Sequence, residues 1–187
     1  MKKIAVALIS LTLLQGCAVA LIAGVTAGAV SMNDRRTLDS QINDQSIEVD
    51  AQGLIANNEI LATNTQLQII SLNSTVLIVG QAITAKHRDQ AYRLVSSIKG
   101  VKKVHNQVRI AKLTTAGTHT SDSWLTTKVK TELMTDERLD SSAIKVVTED
   151  SEVFLMGLVT KQEATIAVDI ARHVNGVARV YKAFETI

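Results

Sequence analysis

The chain holds one cysteine, Cys17, one tryptophan, Trp124, and four histidines, and these few residues bound the chemistry open to it. A lone thiol makes no internal disulfide, so Cys17 must serve through its own nucleophilic sulfur or not at all. Its setting is specific. Lys2 and Lys3 form a positive start, Ile4 to Leu14 is apolar, and Leu14-Gln15-Gly16-Cys17 follows. Charge, apolar run and small residues in that order are the layout of a secretion signal. The histidines His87, His105, His119 and His173 stand in unrelated local contexts without metal-ligand spacing, and read as surface residues. No GxSxG, HExxH, CxxC or GxxxxGK pattern is present. Asp150, beside Glu149, reads as an ordinary turn aspartate rather than a calcium ligand. The expectation is a protein with no catalytic residues, no metal site, no small-molecule substrate and no nucleic-acid partner.

The Leu14-Gln15-Gly16-Cys17 segment resembles the lipobox of bacterial lipoproteins. That resemblance implies removal of residues 1–16, a diacylglycerol on the Cys17 sulfur and an N-acyl chain, with no other cofactor. By likeness to enterobacterial lipoproteins, Asp at position 18 would hold such a protein at the inner membrane. Ala18 stands there instead, which points to the outer membrane. Uncut, residues 4–30 could make a spanning helix, since about 20 apolar residues suffice. Gly24, Gly28 and the surrounding alanines make the later part only weakly lipophilic, so residues 17–44 read as a lipidated tether. Cutting before Cys17 leaves 18 Lys+Arg against 18 Asp+Glu.

What the rest of the chain must position is set by an internal repeat. Leu67 to Gly80 aligns without a gap to Ile144 to Gly157 at an offset of 77, and Ile98 to Val104 aligns to Val174 to Val180 at an offset of 76. One residue is therefore inserted in the first copy near Ile83. Each copy shows a helical stretch (Ile47, Ala51, Leu54, Ile55; Leu125, Val129, Leu133), two β runs joined at Asn73-Ser74 or Asp150-Ser151, and a second helix. Ala91, Leu94, Val95 and Ile98 line that second helix, matched by Ala167, Ile170, Ala171 and Val174. Gly100 and Gly176 follow where a left-handed residue ends a helix. A last strand closes each copy, from Val104 to Ile110 and from Val180 to Phe184. The predicted class is α+β: two tandem α-β-β-α-β units, each a three-stranded mixed sheet with two helices on one face. Hydrophobic residues make up 46% of the chain but aromatics only 3%, so the cores must be aliphatic.

The strand ending in Gly80 or Gly157, the helix after it and the Gly-Val-x-x-Val strand start resemble the BON domain. The domain layout is then a signal peptide over 1–16, a tether over 17–44, BON domain 1 over 45–112, a linker over 113–121 and BON domain 2 over 122–187. Gly53 in the first helix of copy one departs from a strong helical pattern. Two BON domains behind a lipobox imply a non-enzymatic protein, lipid-anchored at the periplasmic face of the outer membrane. They imply that it binds anionic phospholipid and supports envelope integrity, with outer-membrane envelope proteins as a further class of partner.

Two surfaces compete for the lipid. In copy two, Trp124 falls roughly 140° from the centre of the Leu125–Val129–Leu133 face at 100° per residue. It shares the outward side with Thr127, Thr131 and Met134, flanked by Lys128 and Lys130. An exposed Trp and Met bracketed by lysine suits a head-group layer. The alternative is that Trp124, at the start of its helix, folds back as a packing or capping residue. Charge points to copy one, because residues 46–112 carry net +4 and residues 122–187 net −3. Lys99, Lys102 and Lys103 would then meet an anionic surface. The opposite charges also allow the copies to dock on each other. The sequence reading places lipid on copy two, and keeps a membrane-tethered adaptor, using a sheet face or edge, as the other function class.

Overall fold

The computed structural model describes residues 34–114 and 116–187. The export signal, Cys17 and the tether up to residue 33 lie outside the described residues. Arg35–Ile187 is one compact unit with its own hydrophobic cores, so it carries the whole described fold. No helix among the described residues is long and apolar enough to cross a membrane.

Copy one runs α1 (Leu38–Ala56), α2 (Glu59–Asn64), β1 (Thr65–Leu72), β2 (Thr75–Ala82), α3 (Ala85–Ser96) and β3 (Lys103–Ile110). Copy two runs α4 (Ala116–Thr135), a 3-10 turn (Ser141–Ala143), β4 (Ile144–Glu149), β5 (Glu152–Val159), α5 (Lys161–His173) and β6 (Arg179–Thr186). The sheet orders are β1-β2-β3 and β4-β5-β6, with the hairpin pair antiparallel and the last strand parallel to the central one. The parallel return requires a crossover, and α3 or α5 supplies it. Thr84 and Thr160 cap these crossover helices, and Ile83 is the extra residue that lengthens the first copy's entry by one.

Three boundaries differ from the sequence reading. The helix of copy one begins at Leu38, inside the stretch read as tether, because the Thr37 hydroxyl caps the Ser40 N–H. The second domain's helix begins at Ala116, inside the stretch read as linker. Trp124 therefore sits near the middle of α4, not at its start. Copy one also carries the short helix α2, capped by Asn58, where copy two has only a 3-10 turn.

Strand alternation explains the layers. One face of each sheet meets its own helices: Ile69, Val76, Ile78 and Val108 with Ile47, Ala51 and Val95 in copy one, and Val146, Val153 and Leu155 with Leu125, Val129 and Ala171 in copy two. The opposite faces meet each other. Ile70, Leu72, Leu77 and Val79 pack on Val147, Phe154 and Met156, with Tyr181 and Ala183 at the margin. The unit Arg35–Ile187 is thus four layers, helix–sheet–sheet–helix, with α1 and α4 on opposite outer faces.

Both hairpins turn through two non-glycine residues in left-handed backbone, Asn73 and Ser74 at φ 51° and 67°, Asp150 and Ser151 at 48° and 64°. Tight two-residue hairpins need this conformation, and it is costly without glycine. The first helix of each copy supplies the compensation. Asp44 accepts from the Asn73 and Ser74 N–H groups at 2.7 and 2.8 Å, and Asp122 accepts from those of Asp150 and Ser151 at 2.7 and 2.9 Å. Gly80 has φ +120°, and a Cβ there would overlap the Gln66 carbonyl across the hairpin, so the strand-end glycine is structural.

Candidate functional site

α4 presents two faces to two environments. Leu125, Val129 and Leu133 are buried in the domain core. The far side carries Trp124 at 65% and Met134 at 74% relative exposure, with Thr127 and Thr131 exposed between them. At 100° per residue these four fall within an arc of roughly 80°. Thr127 and Thr131 each donate to the carbonyl four residues back, at 3.0 and 2.9 Å, so the hydroxyls are turned onto their own helix. This leaves methyls, a thioether and an indole outward. Trp124 neither folds back nor caps the helix.

The flanking lysines differ. Lys130 is exposed. Lys128 is half-buried and its ammonium donates to the Asn175 carbonyl at 3.3 Å, which ties α4 to the loop after α5. In copy one, Lys99, Lys102 and Lys103 are exposed as expected, but they stand on the α3–β3 turn and the start of β3, not beside Trp124.

Ion pairs of both senses cross the contact between the copies, with one cation from each. Arg109 pairs with Asp150 at 2.6 Å and approaches Glu152 at 4.0 Å, and Lys145 donates to Glu48 at 3.2 Å and to the Ser71 carbonyl at 2.9 Å. Gln81 donates to Glu149 at 2.6 Å inside the contact, so Glu149 is a buried hydrogen-bond acceptor. An adaptor that used a free sheet face is excluded by this packing; only edges and outer helices remain.

The histidines are less uniform than a surface reading suggests. His119 is half-buried and shares its Nε2 with Gln66 and Thr114 at 2.5 and 3.2 Å. The Nδ1 of His87 is buried without a partner among the described residues. Burial, and then the neighbouring Lys103 charge, hold the His105 imidazole below its usual range. Among the described residues no group of three or more His, Cys, Asp or Glu is arranged to hold a metal ion.

Both copies match the BON domain family, over residues 43–112 and 121–187. The chain belongs to the BON domain family. The chain is 34% identical over 185 residues to the outer membrane lipoprotein DolP of Haemophilus influenzae, covering 99% of this chain and 96% of that one. It is 29% identical to a 21 kDa hemolysin of Actinobacillus pleuropneumoniae, over 82% of this chain and 79% of that one. It is also 26% identical to the osmotically-inducible protein Y of Escherichia coli, over 78% and 73%. The chain thus carries two BON domains and is similar in sequence to an outer membrane lipoprotein along nearly its whole length.

Sequence reasoning missed Asp44, Asp122 and Arg35 as organising residues of these BON domains. The two aspartates carried a usable signal, since they stand 78 residues apart in a repeat of 77. Arg35 carried none, because its partner, Glu163, lies 128 residues away.

Proposed function

We propose that this chain is a non-enzymatic lipoprotein of the outer membrane. It is anchored through acylated Cys17 at the periplasmic face, binds anionic phospholipid through the α4 surface of BON domain 2, and supports envelope integrity. The observation that carries the reading is the exposure of Trp124 and Met134 on the side of α4 away from the core. An indole and a thioether with lysine beside them gain by entering a head-group layer, whereas water leaves their apolar area uncompensated. The similarity to an outer membrane lipoprotein over nearly the whole chain supports the location.

The layers add a constraint. Because α1 and α4 face opposite ways, one bilayer cannot lie on both. A lipid-bound α4 turns copy one toward the periplasm. The chain from Cys17 to Arg35 reaches at most roughly 60–65 Å when fully extended, enough for α4 to lie on the anchoring membrane.

The test is co-sedimentation of the chain lacking residues 1–17 with vesicles containing phosphatidylglycerol. Trp124→Ala is set against Lys102→Ala with Lys103→Ala. Loss only in the Trp124 variant is the expected result. Loss only in the lysine pair would move the lipid surface to copy one.

A further inference from the structure

A groove of about 760 Å³ runs where copy one meets the outer edge of copy two. Lys103 and His105 of β3 line one wall, Lys161 and Arg172 of α5 the other, and Lys182 and Phe184 of β6 the floor. Neither copy alone builds it. The residues of β6 that line the groove include the consecutive run 182, 183 and 184. Successive strand side chains point to opposite faces, so a groove touched by all three must run along the strand's edge.

That edge is free. β6 is an outer strand of its sheet, paired with β5 alone among the described residues. The Ile187 N–H donates to the Val159 carbonyl. Ladder alternation then turns the N–H and C=O of residues 180, 182 and 184 away from β5, along the groove. Around this edge the lining is mostly basic, and its one carboxylate, Asp169, is paired with Arg172. Lys103, Lys161 and Lys182 have no ion-pair partner among the described residues, whereas Arg172 is held by Asp169 at 2.5 Å. Lysines on an edge repel a second copy of the same edge. The same charges attract an acidic strand.

We propose that the β6 edge is a docking site for an extended acidic segment of a partner protein, which adds as a fourth strand to the sheet of copy two. Its backbone pairs with residues 180 to 184 of β6. Its side chains alternate between Lys103 with His105 on one wall and Lys161 with Arg172 on the other. Main-chain pairing supplies affinity and the alternating acidic positions supply selectivity. The site is independent of the Trp124 surface, which lies on α4.

The experiment uses the chain lacking residues 1–17, which retains the whole compact unit, and follows backbone amides by NMR. The probes are an acetylated hexapeptide alternating valine with glutamate, its lysine counterpart and the acidic peptide with N-methylated backbone. Dihexanoylphosphatidylglycerol is the fourth probe. The expected result is saturable shifts along β6 with the acidic peptide only. Affinity should fall at least about tenfold in Lys103→Glu with Lys182→Glu, about 1.4 kcal/mol. That variant should gain the lysine peptide, and Trp124→Ala should change nothing. Equal binding of both peptides, or of the N-methylated one, would overturn strand addition. Shifts with the phospholipid alone would overturn it in favour of an anionic head-group.

Discussion

Arg35 grips Glu163 with two hydrogen bonds, Nη1 to Oε2 at 2.8 Å and Nη2 to Oε1 at 2.6 Å, and a third from Nη1 reaches the Leu158 carbonyl at 3.2 Å. Glu163 is also the capping-box residue of α5, accepting from the Thr160 N–H and hydroxyl at 2.8 and 2.9 Å. The residue that opens the compact unit is therefore fastened to the second domain before the chain enters the first.

The consequence is a pH dependence. The Arg35 hydrogen bonds, opposed by burial, hold the Glu163 carboxyl well below the usual carboxylate range. A depressed folded-state value stabilises the fold above the unfolded glutamate value of about 4.3, and that contribution is lost as pH falls below it. Arg35→Ala should cost about 1–2 kcal/mol at pH 7, because Glu163 keeps its Thr160 donors. It should also flatten the loss of stability in acid. Urea unfolding at pH 7 and pH 3.5 measures both, and an unchanged acid slope in the variant would contradict the assignment.

The turn carboxylates should stabilise both hairpins. Asp44→Ala and Asp122→Ala each remove a buried acceptor from two left-handed N–H groups, and each should cost about 2–3 kcal/mol. Asp44 holds more, since it also accepts from Ser71 at 2.7 Å and pairs with Arg36 at 2.7 Å. The larger loss is therefore expected at Asp44. Amide exchange at residues 73–74 and 150–151 would show the local opening.

The sheet-to-sheet contact should make the two domains unfold together. Met156 is fully buried in that contact, and Phe154 stacks on Tyr181 with ring centroids 4.9 Å apart. Met156→Ala should cost about 2–5 kcal/mol. It should lower a single calorimetric transition. Two separated transitions in the parent protein would mean that the domains are not coupled in solution.

The anchor has the simplest test. Cys17→Ala should leave the chain unlipidated and free of the outer membrane, and mass spectrometry of the mature N-terminus of the parent should show an acylated Cys17. An unmodified Cys17 or an intact residue 1 would refute the lipoprotein reading.

The sequence by itself determined the order of the elements and the buried face of their helices, which local spacing and repetition set. A gapless offset of 77 marked the paired hairpins, and the helical spacing of Leu125, Val129 and Leu133 fixed which side of α4 is buried. That in turn placed Trp124 outside. These features need only the periods 3.6 and 2 and the absence of a side chain at Gly80. Tertiary structure alone decided where the second face of each sheet goes. Val76 to Val79 and Val153 to Met156 are apolar without alternation, the pattern of strands covered on both sides. The sequence could not name the cover, because burial against a partner sheet and burial against a helix demand the same side chains. It likewise could not place Arg35 on Glu163, nor bring Lys103 beside Lys182. Those pairings join residues 128 and 79 positions apart, and only the docking of the two copies brings such distant charges to one surface.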